Sequence, residues 1–186
     1  MKTEEPDYLK NLWSENRQLQ GEAFLAVMAE VRNPVDWAYD VWDEAVEQLG
    51  HKDNHNRAIA AQLLCGLAKS DPKNRLKRDF ALLFAVTSDE RFVTARHCLQ
   101  ALWKVGVVGK GQRKMLVTAL EDWFVRCTEH KNCPLIRYDI CESLRKVYDA
   151  TGDDTIKDLA LRLIATEVDD KYRKKYLTLW LTKSNR

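Results

Sequence analysis

Proline and glycine are scarce in this chain, four and seven among 186 residues. No Ser/Gly/Pro-rich or low-complexity run interrupts it, so nothing reads as a linker, and a single domain over 1–186 is the expectation. Long apolar runs are missing too. No segment approaches the ~18 consecutive apolar residues of a membrane span, and Met1 to Tyr8 carries one Lys, three acids and no apolar stretch. A cytoplasmic protein without membrane attachment is expected. Cysteines number five, an odd count, and most lie in apolar helical patterns such as Leu63-Leu64-Cys65-Gly66-Leu67. That placement reads as reduced, buried thiols rather than a disulfide framework. Catalytic signatures are also lacking: there is no Gly-x-Ser-x-Gly, no His-Glu-x-x-His and no Cys/His nucleophile pairing. Gly106-Val107-Val108-Gly109-Lys110-Gly111 has neither the spacing nor the preceding strand of a phosphate loop and reads as an inter-helix turn. Neither a catalytic centre nor a cofactor is expected.

With 45% hydrophobic and 31% charged residues, the chain can bury roughly two-thirds of its unfolded surface as one body. Apolar residues recur at intervals of three and four almost throughout, as in Ile59, Leu63, Leu64 and Leu67, or Ile136, Ile140, Leu144 and Val147. That is helix period. Pro6, Pro34, Pro72 and Pro134 each suit a first helical turn, where a missing N–H costs nothing. Gly50, Gly106 to Gly111 and Gly152 fall where helices should end. The punctuation predicts helices over 6–18, 22–32, 35–49, 54–69, 72–86, 90–105, 110–129, 134–149, 153–167 and 169–183, with no strand.

Four segments resemble one another: those from Asn56, Thr94, Ile136 and Lys171. Aligned on Leu64, Leu102, Leu144 and Leu179, they recur at 38, 42 and 35 residues, which brackets the ~40-residue period of two-helix solenoids. Arg57 with Ala60, Ala61 and Leu64, and Arg137 with Ile140, Cys141 and Leu144, resemble the second helix of HEAT repeats. There an Arg near the helix start precedes small packed residues and a Leu. In the second unit the Arg shifts to Arg96, and the fourth is dominated by Tyr172, Tyr176 and Trp180. The resemblance covers roughly 34–184 and implies an all-α, right-handed solenoid of about four helix pairs, with 1–33 as N-terminal capping helices. Each pair would bury its apolar face on its neighbours.

Charge is uneven. Residues 1 to 50 hold 4 Lys/Arg against 11 Asp/Glu, and the remainder 26 against 17. Basic residues crowd helix starts at Lys73, Arg75, Lys77 and Arg78, at Lys110, Arg113 and Lys114, and at Lys171, Arg173, Lys174 and Lys175. Stacked in register, such clusters would form a basic inner face able to hold phosphates. The expected partner is therefore a protein or nucleic acid, DNA included, contacted through Arg57, Arg96, Arg137, Lys73, Arg75 and Lys110. The alternative role for Arg57 and Arg137 is pairing with acids of the adjacent repeat.

Two constellations have metal-ligating residue types. Cys127, His130 and Cys133, with Cys141 two turns on, could converge on zinc, but the spacing matches no common module and no metal is expected. His51, Asp53 and His55 read as a solvated turn and N-cap. The segment Asp36-Trp37-Ala38-Tyr39-Asp40-Val41-Trp42-Asp43, with Arg57 beyond, is similar to the aromatic and acid set of HEAT-like DNA glycosylases acting on alkylated bases. That resemblance implies Tyr39 and Asp43 as a catalytic pair. Trp37 and Trp42, about 140° apart on a helix, predict that one of them is core.

Overall fold

A computed structural model of the chain describes residues 7–181. Among the described residues the fold is all-α, without strands. The contacts group the chain into two compact units, residues 1–98 and 99–186. None of the helices described is long and apolar enough to cross a membrane.

Unit 1 begins with α1 (Asp7–Lys10) and α2 (Arg17–Glu30). The helix expected over 6–18 stops at Lys10, because Asn16 caps a new one: its side-chain oxygen accepts from the backbone N–H of Gln18 and Leu19. The helix expected over 22–32 begins earlier, at Arg17, and runs through Gly21. The helix expected over 35–49 is also shorter. A single 3-10 turn, Trp37–Tyr39, precedes α3 (Trp42–Gln48), so Pro34 starts no α-helix. The core is reached by Trp42, which is fully buried, while Trp37 is partly exposed.

Next come α4 (Asn54–Leu67), capped by Asp53, and α5 (Arg75–Ala85). Pro72 stands three residues ahead of α5 rather than in its first turn. The Asp71 carboxylate takes over the start, accepting from the N–H groups of Arg75 and Leu76. Helix α6 (Phe92–Ala101) follows, and the units divide within its span. Helix α4 packs on α2, α3 and α5. At its crossing with the end of α2, a Cβ on Gly66 would lie 2.7 Å from Val31 Cγ2, so only glycine fits without displacement. Leu12, Val27, Trp42, Leu63, Leu64, Leu67, Leu76 and Leu83 fill this core.

Unit 2 holds α7 (Trp103–Gly106), α8 (Lys110–Arg126), α9 (Cys133–Thr151), α10 (Asp154–Ala165) and α11 (Asp170–Leu181). Pro134 does sit in the first turn of α9, and Gly152 ends that helix at φ 66°, a conformation L side chains rarely adopt. The helix expected to reach residue 183 is described only to 181. Helix α9 packs on α7, α8, α10 and α11. Leu116, Phe124, Ile136, Ile140, Leu144, Val147 and Tyr176 form its core. Of the aligned leucines, Leu64, Leu102 and Leu144 are fully buried, whereas at the fourth position Trp180 is buried in place of the half-exposed Leu179.

Cys127 and Cys133 depart from the expectation of reduced thiols. The short turn between α8 and α9 brings their Cα atoms to 5.3 Å, and the two are joined as a disulfide. Cys65, Cys98 and Cys141 are free and buried, and burial raises the pKa of the Cys98 and Cys141 thiols.

Candidate functional site

Four arginines share one construction. Arg17 at the start of α2 pairs with Asp53, which caps α4. Arg57 in the first turn of α4 pairs with Asp89, just ahead of α6. In unit 2, Arg113 of α8 pairs with Asp153, the cap of α10, and Arg137 of α9 pairs with Glu167, just ahead of α11. Asp53, Asp153 and Glu167 each give one oxygen to the arginine and the other to a nearby backbone N–H, whereas Asp89 gives both oxygens to Arg57 and accepts from Arg91 N as well.

Arg57 is the most saturated of them. Its Nε and Nη2 donate to the two oxygens of Asp89 at 2.5 and 2.8 Å, and its Nη1 donates to the carbonyls of His51 and Lys52. The two side chains are only 12% and 5% exposed. Burial pushes the Asp89 pKa up, but the Arg57 hydrogen bonds, the Arg91 N–H and the two guanidinium charges together outweigh it and the net shift is downward. Glu167 follows the same balance with Arg137. Arg137 also donates to the Phe124 carbonyl and lies over the Phe124 ring.

These pairs are part of a wider regularity. Within unit 1, Gln20 donates to Asn56 and Trp42 Nε1 to Asp79, spanning 36 and 37 residues. Within unit 2, Gln100 donates to Asp139 and Ser143 to the Leu99 carbonyl, spanning 39 and 44. The Arg57–Asp89 and Arg137–Glu167 pairs span 32 and 30. Polar groups buried between helices thus find partners about one helix pair away.

The remaining sequence candidates have more local settings. Arg75 extends Nη1 to Asp43 at 3.1 Å, and its guanidinium lies 4.6 Å from the Tyr39 ring centre. It therefore fills the space between the expected aromatic and acid. The Tyr39 hydroxyl donates to Asp71 at 2.5 Å and accepts from Lys73 N, and the Lys73 ammonium sits over the same ring. Burial and the Asp71 carboxylate raise the Tyr39 pKa. Tyr39 and Asp43 are accordingly anchored to a capping network, with the Asp43 side chain 75% exposed beyond it. Arg96 lies half-buried on α6. Lys110, exposed, opens α8 beside a cavity of about 310 Å³ that Arg113, Lys114, Asp153 and Thr155 also line.

Among the described residues, no three His, Cys, Asp or Glu side chains converge in a way that could hold a metal. Two of the four residues proposed around Cys127 are consumed by their own disulfide. In the His51 to His55 loop, Asp53 caps α4 through His55 N, and its hydrogen bond from Arg17 holds its pKa down at about 2.

An opening the sequence reasoning did not single out lies in unit 1. Helices α2, α4 and α6 wall a cleft of about 400 Å³ with Gly21, Phe24, Ala58, Ile59 and Val93 as its apolar lining and Gln62, His55 and His97 among its polar groups. Val93 is 64% exposed there. The sequence signal was the pair of apolar residues Val93 and Phe24 at positions the buried helical stripe does not need. No protein-family model, curated protein or solved structure matches this chain.

Proposed function

We propose that the chain is a non-catalytic, HEAT-like helical-repeat scaffold that binds a macromolecular partner, protein or nucleic acid. The observation that carries this reading is the apolar cleft between α2, α4 and α6, which presents open hydrophobic surface. The recurrence of interhelix hydrogen bonds at 30 to 44 residues supports the repeat architecture, since stacked helix pairs bond to their neighbours at one repeat length. The basic contribution to binding narrows to side chains outside the ion pairs, such as Lys73 and Lys110, because Arg57 and Arg137 hold the stack together. A cytoplasmic location belongs to the same reading.

The alternative, a glycosylase acting on alkylated DNA, needs Asp43 facing an open aromatic pocket, and Arg75 fills that space. Two assays separate the readings. Incubation with duplex DNA carrying alkylated bases is expected to release no base; release abolished by Asp43→Asn would overturn the scaffold. A photo-crosslinking side chain at Val93 is expected to yield a discrete adduct in cells that Ile59→Glu abolishes. Adduct formation indifferent to the cleft substitution would equally count against it.

A further inference from the structure

In unit 2, α11 lies against α9 and brings three tyrosines together. Tyr176 is buried, donates to the Pro134 carbonyl and stacks on Tyr172 with ring centres 6.4 Å apart. Tyr138 packs against it from α9 at the same centre distance. Tyr138 and Tyr172 are only part-buried, and each ring packs against Tyr176.

Exposed lysines cover these rings. The Lys175 ammonium lies 4.9 Å from the Tyr138 ring centre and that of Lys171 lies 5.8 Å from Tyr172, with exposed Lys174 alongside. The acids at this end of α11 are engaged elsewhere. Asp169 caps the helix through Lys171 N and Tyr172 N, Asp170 pairs with Arg173, and Glu167 pairs with Arg137. Among the described residues, none of the three lysines is ion-paired with these carboxylates.

We propose that this face binds single-stranded nucleic acid, with Tyr138 and Tyr172 stacking on two bases and Lys171, Lys174 and Lys175 holding the backbone phosphates. The inference rests on the scaffold reading and names its partner. Rings backed by Tyr176 and covered by flexible lysines suit unstacked bases, and duplex bases have no free faces to offer. An exposed ammonium over a ring is worth about a 2- to 5-fold preference, whereas a stacked base contributes about 5- to 150-fold. A base should therefore displace each lysine, whose flexible stem then carries the charge to a phosphate. An acidic peptide would use the lysines but gain little from the rings.

The test is fluorescence anisotropy of a labelled oligothymidylate of about 15 nucleotides with the full chain, across a salt series. With three phosphates contacted, log affinity should fall against log salt with a slope of about −2. Tyr138→Ala and Tyr172→Ala should each weaken binding about 10-fold with the slope unchanged, while Tyr172→Phe retains affinity. Lys171→Ala with Lys175→Ala should flatten the slope by about 1.4. Circular dichroism melting of each variant separates lost binding from lost folding. Absence of binding at low salt, equal affinity for the matching duplex, or a loss confined to the lysine variants would overturn the proposal. A failure here leaves the Val93 crosslinking result standing, so the two readings fail separately.

Discussion

Replacing Arg57 with Met removes a guanidinium that the structure uses four times, twice on Asp89 and twice on the His51 and Lys52 carbonyls. The methionine retains much of the stem's apolar volume, so the loss is chiefly electrostatic. What remains is a carboxylate 5% exposed with its main partner gone. Breaking one side of a buried ion pair costs about 3 to 5 kcal/mol. The lower end applies, because Arg57 retains some contact with water and Asp89 keeps its bond from Arg91 N. A loss of about 3 kcal/mol lowers Tm by about 6 to 12 °C in a chain of this length. Adding Asp89→Asn, which keeps an oxygen for Arg91 N and removes the charge, should restore at least half of it. The pH dependence supplies a second check. In the native protein the Asp89 pKa is depressed, so its contribution is present above the ordinary carboxylate value and is lost as pH falls through the folded one. In Arg57→Met the unpaired carboxylate titrates higher, so the deficit should shrink as pH falls and the two proteins should converge in acid. Urea unfolding between pH 3 and 7 reads both effects. A variant within about 0.5 kcal/mol of the native protein, or a deficit indifferent to pH, would refute the structural role given to this arginine.

Asp53, held at about 2 by Arg17, should contribute stability that is present above pH ~4 and disappears between ~4 and ~2. Asp53→Asn should therefore unfold more easily at pH 6 and match the native chain by pH 2 in denaturant titrations. Reducing Cys127–Cys133 opens a short loop, worth about 2 kcal/mol in a chain-entropy estimate, and should lower Tm by about 4 to 8 °C. The Cys127→Ser, Cys133→Ser double variant should then melt identically with and without reductant. Gly66→Ala should destabilise by about 1 to 2 kcal/mol despite its better helix propensity, because the new methyl meets Val31. Val31→Ala in that background should recover part of the loss in the same melting assay.

Helix period was legible in the sequence because it is set by burial, and the leucines that define it, such as Leu64 and Leu144, are fully enclosed. Helix starts were read less well. Proline only permits a first turn, whereas a side-chain oxygen at the cap satisfies N–H groups that otherwise go unpaired, so Asn16 and Asp71 decided boundaries that Pro72 did not. The site candidates divided along similar lines. The sequence located the charged residues but left their partners open. Asp89 and Glu167 sit about 30 residues from the arginines they neutralise, a distance that becomes a contact only once helices stack. Tyr39 and Asp43 looked adjacent on one helix; they lie on a 3-10 turn and on α3, and Arg75 contacts both.

The fork of hydrogen bonds around Arg57 also bears on how such chains are to be compared. Lysine at that position would supply one ammonium where a planar group serves two carboxylate oxygens and two carbonyls, so substitution there should be tolerated poorly whatever the partner. An arginine kept constant at Arg57 and Arg137 would thus record ancestry of the fold. Divergence in function would be written instead in the side chains between them, and two chains sharing every such arginine could still do different things.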